Sequence, residues 1–135
     1  MYVAKHLRLT HQGAHHILEA GVKKALEMNK PQCIAVVDEG GNLLAFARMD
    51  GAKILSIESA IRKATTAASG RGPTGGIPEG LEFRLAHATS GRLVNLKGGL
   101  PITVDGITIG GIGVGSQTGE EDLEVAQAAL DSLEK

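Results

Sequence analysis

Residues 98–119, "GGLPITVDGITIGGIGVGSQTG", hold eight glycines and decide how the rest of the chain is read. Asp105-Gly106 sits between two apolar runs. Asp-Gly is a strong two-residue turn signal, so the stretch predicts a β-hairpin. Its second arm carries glycine at 110, 111, 113 and 115. Glycine weakens a strand by losing backbone entropy and offering no side chain to pack. Side chains alternate along a strand. The odd positions therefore read Ile107, Ile109, Gly111, Gly113 and Gly115, and the even ones Thr108, Gly110, Ile112, Val114 and Ser116. One face goes bare while the other keeps Ile112 and Val114 for a core. A bare strip lets another body reach the main chain: a helix, a neighbouring subunit, or a ligand seated on Gly111 and Gly113.

The flanking segments follow from local chemistry. Thr10 can cap a helix over residues 10–28, with Ala14, Ile17, Leu18, Gly21, Val22 and Ala25 on one face. "CIAVVD" (33–38) suits a strand covered on both sides, and "LLAFARM" (43–49) returns after the turn "EGGN". A second helix spans 53–69, with Ile54, Ile57, Ile61, Ala64 and Ala68 on its core face. Its opposite face, Ser56, Ala60, Lys63 and Ala67, is small and carries one lysine, which is consistent with a second packed face in an oligomer. Residues 70–80 are a glycine- and proline-rich loop, and a short helical segment follows near 79–88. Thr118 and Glu121 form a capping box that opens the last helix, striped by Leu123, Ala126, Ala129, Leu130 and Leu133. Two hairpins among helices give an α+β class: an antiparallel sheet of about five strands with helices packed on it.

Composition removes several functions. One Tyr, two Phe and no Trp leave no stacking platform for sugars or bases, and a net charge of −1 leaves no basic stripe for nucleic acid. The single Cys33 excludes an internal disulfide and a multi-cysteine metal site, and its apolar run makes it a small core residue. No run is long enough to span a membrane. The start "MYVAKHLRLT" lacks an apolar export core, so a cytoplasmic, single-domain protein is expected. No Walker loop, dinucleotide fingerprint or G-x-S-x-G nucleophile elbow is present.

Two constellations carry candidate chemistry. In "THQGAHHILEAG", His11, His15 and Glu19 recur at i, i+4, i+8 and line one side of the first helix. His15 borders the apolar face and His16 points about 100° away, towards solvent. An imidazole beside an apolar wall is what haem iron needs, and His11 with His15 is also a weak divalent-metal pair. The second constellation is polar: Arg48, Asp50, Lys63, and Arg71 with Thr74 on the glycine loop. Arg48 at a strand end can clamp a carboxylate, so the group suits a small hydroxy or keto acid. An isomerase or tautomerase would need only such a clamp and one poised base, for which Glu58 and Asp38 are candidates.

Three blocks, "IAVVDEGGNLLAFARMDGA", "ESAIRKATTAASGRGPT" and "GGLPITVDGITIGGIGVGSQTGEEDLEVAQAAL", resemble the GlcG/HbpS family of small bacterial proteins and the C-terminal domain of PduO-type adenosyltransferases. The similarity runs from about Leu9 to the C-terminus. It implies a profilin-like or PAS-like sandwich that forms homo-oligomers, hexamers or octamers. It also implies haem as a cofactor in some members, held by a histidine of the first helix, here His15 or His16. Members accompany glycolate, diol or aromatic catabolism. The expected function is thus an oligomeric small-ligand binder, with a small acid–base enzyme at a subunit boundary as the alternative.

Overall fold

Asp105 (φ 53°) and Gly106 (φ 76°) both take left-handed backbone conformations, as a two-residue hairpin of the primed type requires. They join β3 (Gly99–Val104) to β4 (Ile107–Gly115), which pair antiparallel with Leu100 opposite Ile112. The first hairpin joins β1 (Cys33–Asp38) to β2 (Leu43–Arg48). Its turn is fixed by Asp38 Oδ1, which accepts from the main-chain N–H groups of Gly40 (2.9 Å) and Asn42 (3.0 Å). The hairpins meet through β1 and β4, with Ile34 opposite Val114. The result, in a computed structural model that describes residues 1–133, is an antiparallel sheet ordered β2-β1-β4-β3. It has four strands and not the expected five.

Four helices complete the described residues: α1 (His11–Met28), α2 (Ser56–Gly70), α3 (Leu81–Ala88) and α4 (Gly119–Asp131). Thr10 caps α1 by accepting from Gly13 N–H at 3.0 Å, and Thr118 with Glu121 closes both bonds of the capping box on α4. α1 and α4 cover one face of the sheet, where Ile17, Ile34, Val36, Ile102, Ile112, Val114 and Val125 form the larger core. α2 covers the other face, over Cys33, Ala35 and Val37. β1 is therefore buried on both sides, as its unbroken apolar run requires.

The bare strip of β4 meets α2. A Cβ on Gly111 would collide with the main-chain carbonyl of Ala64, and one on Gly113 with that of Ala60. Helix and strand touch main chain to main chain, so Gly111 and Gly113 cannot seat a ligand. That candidate role is corrected here. The same contact corrects the rotation of α2. Its buried side chains are Ser56, Ala60, Lys63, Ala64, Ala67 and Ala68, so the small face reserved for an oligomer packs on the sheet. Ile54 is exposed, and Ile57 and Ile61 are only half-buried. Close approach to glycine admits alanine and serine and has no room for isoleucine.

Candidate functional site

α1 turns Ala14, Ile17 and Leu18 inward and leaves His11, His15, His16 and Glu19 exposed. His15 is therefore exposed, one turn before the buried Leu18 and two turns before the half-buried Val22. His16 Nε2 lies 3.1 Å from the Ser132 carbonyl, the chain end of α4, and the tautomer protonated there donates to it. No protein group bonds the ring of His15 among the described residues. His11, His15 and Glu19 do not assemble a chelate, since no group of three or more His, Cys, Asp or Glu among the described residues is placed to hold a metal ion.

The polar constellation is split into three places. Arg48 and Asp50 lie exposed at the end of β2 and just beyond it. Arg71 sits past the C-terminus of α2, on the lining of a cavity of about 710 Å³. Lys63 is buried on the sheet side of α2. Its ammonium donates to the Val114 carbonyl at 2.8 Å and to Asp122 Oδ2 at 3.0 Å. Asp122 Oδ1 also accepts from Gln117 N–H at 3.1 Å. Burial pushes the Asp122 carboxyl above the usual carboxylate range, against the opposing pull of the Lys63 charge and its hydrogen bond.

This pair lines a second cavity, of about 270 Å³, together with Lys53, Ser56, Ser116 and Lys97. Ser116 has a positive φ of 119°, unusual for a residue with a side chain, and its Oγ accepts from Lys53 N–H at 2.8 Å. Gly98 (φ +122°) makes room for the pair: a Cβ there would meet Lys63 Nζ at 3.0 Å and Asp122 Cβ at 2.9 Å. Sequence reasoning singled out Lys63 but missed Asp122. A signal was present, because Asp122 precedes Val125, Ala126 and Ala129 at helical spacing and so lies on the buried stripe of α4.

Fold and surface together define a class: a one-sheet α+β protein with helices on both faces, three exposed histidines on its first helix and a buried Lys–Asp pair between sheet and helices. The chain belongs to the HbpS-like family, described as haem degrading protein HbpS-like, whose family model matches residues 9–131. It is 42% identical over 107 residues to protein GlcG of Escherichia coli, covering 78% of this chain and 80% of that one. The crystal structure of Klebsiella pneumoniae protein ORFY is similar with a TM-score of 0.90 at 33% identity, over 98% of this chain and 95% of that one. The crystal structure of a PduOC–haem complex is similar with a TM-score of 0.84 at 30% identity, over 95% and 96% of the two chains. Among the described residues no helix is long and apolar enough to cross a membrane.

Proposed function

We propose that this protein binds haem, with His15 as the residue that would hold its iron, and works as a homo-oligomer. The carrying observation is the His15 imidazole, exposed on α1 with no bonded partner among the described residues, whereas the neighbouring His16 is held by the Ser132 carbonyl. A haem ligand needs one unengaged ring nitrogen and open approach to it. The donor therefore fits, and kinship with a protein crystallised with haem supports the reading. Bound haem would supply a redox-active iron; this chain's part is to hold it. His15 has the exposed, polar His11, Gln12 and Glu19 on one side and Leu18 and Val22 of the apolar stripe on the other, and in this reading a second copy completes the apolar wall for the macrocycle. Exposed Ile54 and Leu55 at the start of α2 are unpartnered apolar groups that assembly would cover. A hexamer or octamer, a cytoplasmic setting and an accessory role in glycolate, diol or aromatic catabolism belong to the same proposal. They rest on the resemblance in the three sequence blocks.

Hemin titration followed at the Soret band tests the reading. Wild type and His16→Ala give a saturable shift, and His15→Ala loses it. A wild type with no saturable shift overturns haem binding. Sedimentation velocity tests the shared wall, and a clean monomer at micromolar concentration removes it.

A second reading, acid–base chemistry on an anionic catabolite, is favoured by one observation. Lys63 and Asp122 stand side by side on a cavity lining that also carries Lys53 and Lys97. In it Lys53 holds the anion, joined by Lys97 on release from Glu120, which it contacts at 2.6 Å, and Asp122 moves the proton. The Asp122 carboxyl carbon, followed by NMR, should then titrate above the ordinary value of about 3.9. A carboxyl that titrates at or below that value removes the reading.

A further inference from the structure

The cavity beside Arg71 is built unlike the surface of α1. It lies where both hairpin turns, the outer side of α2 and the segment after α3 meet. Gly41 (φ +82°) makes one wall possible, since a Cβ there would come within 3.0 Å of Thr65 Cγ2. Two arginines, Arg71 and Arg92, lie on the lining; both residues are exposed, and neither makes an ion pair among the described residues.

The hydroxyl groups on the lining divide by what they already bond. Thr66 Oγ1 donates to the Arg92 carbonyl at 3.3 Å and accepts from Val94 N–H at 3.0 Å. Thr89 Oγ1 donates to the Leu85 carbonyl at 2.8 Å and accepts from Leu93 N–H at 3.0 Å. These two hold the 89–94 segment, and with it the main chain of Arg92, against α2 and α3. The hydroxyls of Thr65, Ser69 and Thr108 have no hydrogen-bond partner among the described residues. Thr65 and Ser69 are spaced i, i+4 and share one face of α2.

The opposing charge is less than that of the two arginines. Glu39 is the one carboxylate on the lining, and it faces His6 at 3.4 Å. The C-terminal end of α2 adds about half a negative charge. Two full positive charges exceed both. The larger apolar side chains on the lining are Leu93 and Ile107, too few to wall a haem. This site is therefore independent of the His15 reading.

We propose that this cavity binds a small hydroxylated oxyanion: a polyol bearing a carboxylate or a phosphate. Arg71 and Arg92 take the anionic group, for which guanidinium forks are matched. Thr65, Ser69 and Thr108 take hydroxyls of the same ligand. A cavity of about 710 Å³ is in the range of small-molecule sites.

Isothermal titration of the full chain with gluconate, glucose 6-phosphate, glucose and inorganic phosphate tests this. At least one of the two polyol anions saturates with a Kd below about 1 mM, and the tighter one identifies the anionic group. Arg71→Gln or Arg92→Gln weakens it about tenfold, the size of one charge-assisted contact. Both side chains are exposed, so the variants keep the wild-type fold by circular dichroism and the wild-type hemin titration. Thr65→Val reduces the preference for the polyol anion over inorganic phosphate. The proposal is overturned by the absence of saturable binding up to about 10 mM. It is overturned equally by glucose or inorganic phosphate binding as tightly as the polyol anion, or by affinity unchanged in the double arginine variant.

Discussion

At Gly113 the Ala60 carbonyl of α2 occupies the space that a methyl group would need. That carbonyl and the Ala64 nitrogen beside it are main chain, so the clash cannot be relieved by a rotamer change. Gly113→Ala should cost about 3 kcal/mol or more in urea unfolding, at the upper end for overpacking. Gly76→Ala is the matched control. Nothing lies within 4 Å of a Cβ there and its φ is not positive, so the change should be near neutral. Cys33 gives a prediction in pH. Burial holds its thiol above the usual range, with the Arg48 charge opposing weakly. The native state then keeps a proton that the unfolded chain gives up near pH 8.5. Stability from this group is intact below that pH and is lost as pH rises through the raised native value. Urea midpoints at pH 7 and at about pH 10 should therefore converge in Cys33→Ala relative to wild type. The alternation that put Gly111, Gly113 and Gly115 on one flank of β4 was legible from sequence, because strand geometry alone sets it.

At the scale of the element, α2 is where a helical wheel misleads. A wheel ranks faces by apolar character and so points Ile54, Ile57 and Ile61 inward. Packing against a glycine strand ranks faces by size instead, and the alanine face wins. Lys63 on that face has Asp122 of α4 as its counter-charge, so the pair ties α2, β4 and α4 together. Lys63→Met leaves a buried carboxylate unpaired and should cost about 3–5 kcal/mol. Adding Asp122→Asn, which keeps an acceptor for Gln117 N–H, should recover much of that loss. A double-mutant cycle in urea checks it, and additive losses would mean that the pair is not coupled. The caps of α1 and α4 and the Asp105-Gly106 turn were readable in advance, since each depends on side chains within a few residues. The Lys63–Asp122 pair spans 59 positions. Its only advance sign was a carboxylate in register with an apolar stripe.

For the whole molecule, the antiparallel α+β class followed from two turn signals, while the strand count did not, because the two hairpins supply four strands and no further segment pairs with them among the described residues. The candidate site was legible only in part. The histidines stand on α1 as expected, but which of them is engaged depends on the Ser132 carbonyl, more than a hundred residues away. Arg48, Asp50, Lys63 and Arg71 read as one cluster along the chain and are dispersed by the fold. The proposed haem protein stands on a single nitrogen atom. Low-temperature electron paramagnetic resonance of the ferric haem adduct interrogates that atom directly. Wild type and His16→Ala should share one histidine-ligated spectrum that His15→Ala lacks; an unchanged spectrum in His15→Ala would contradict the assignment.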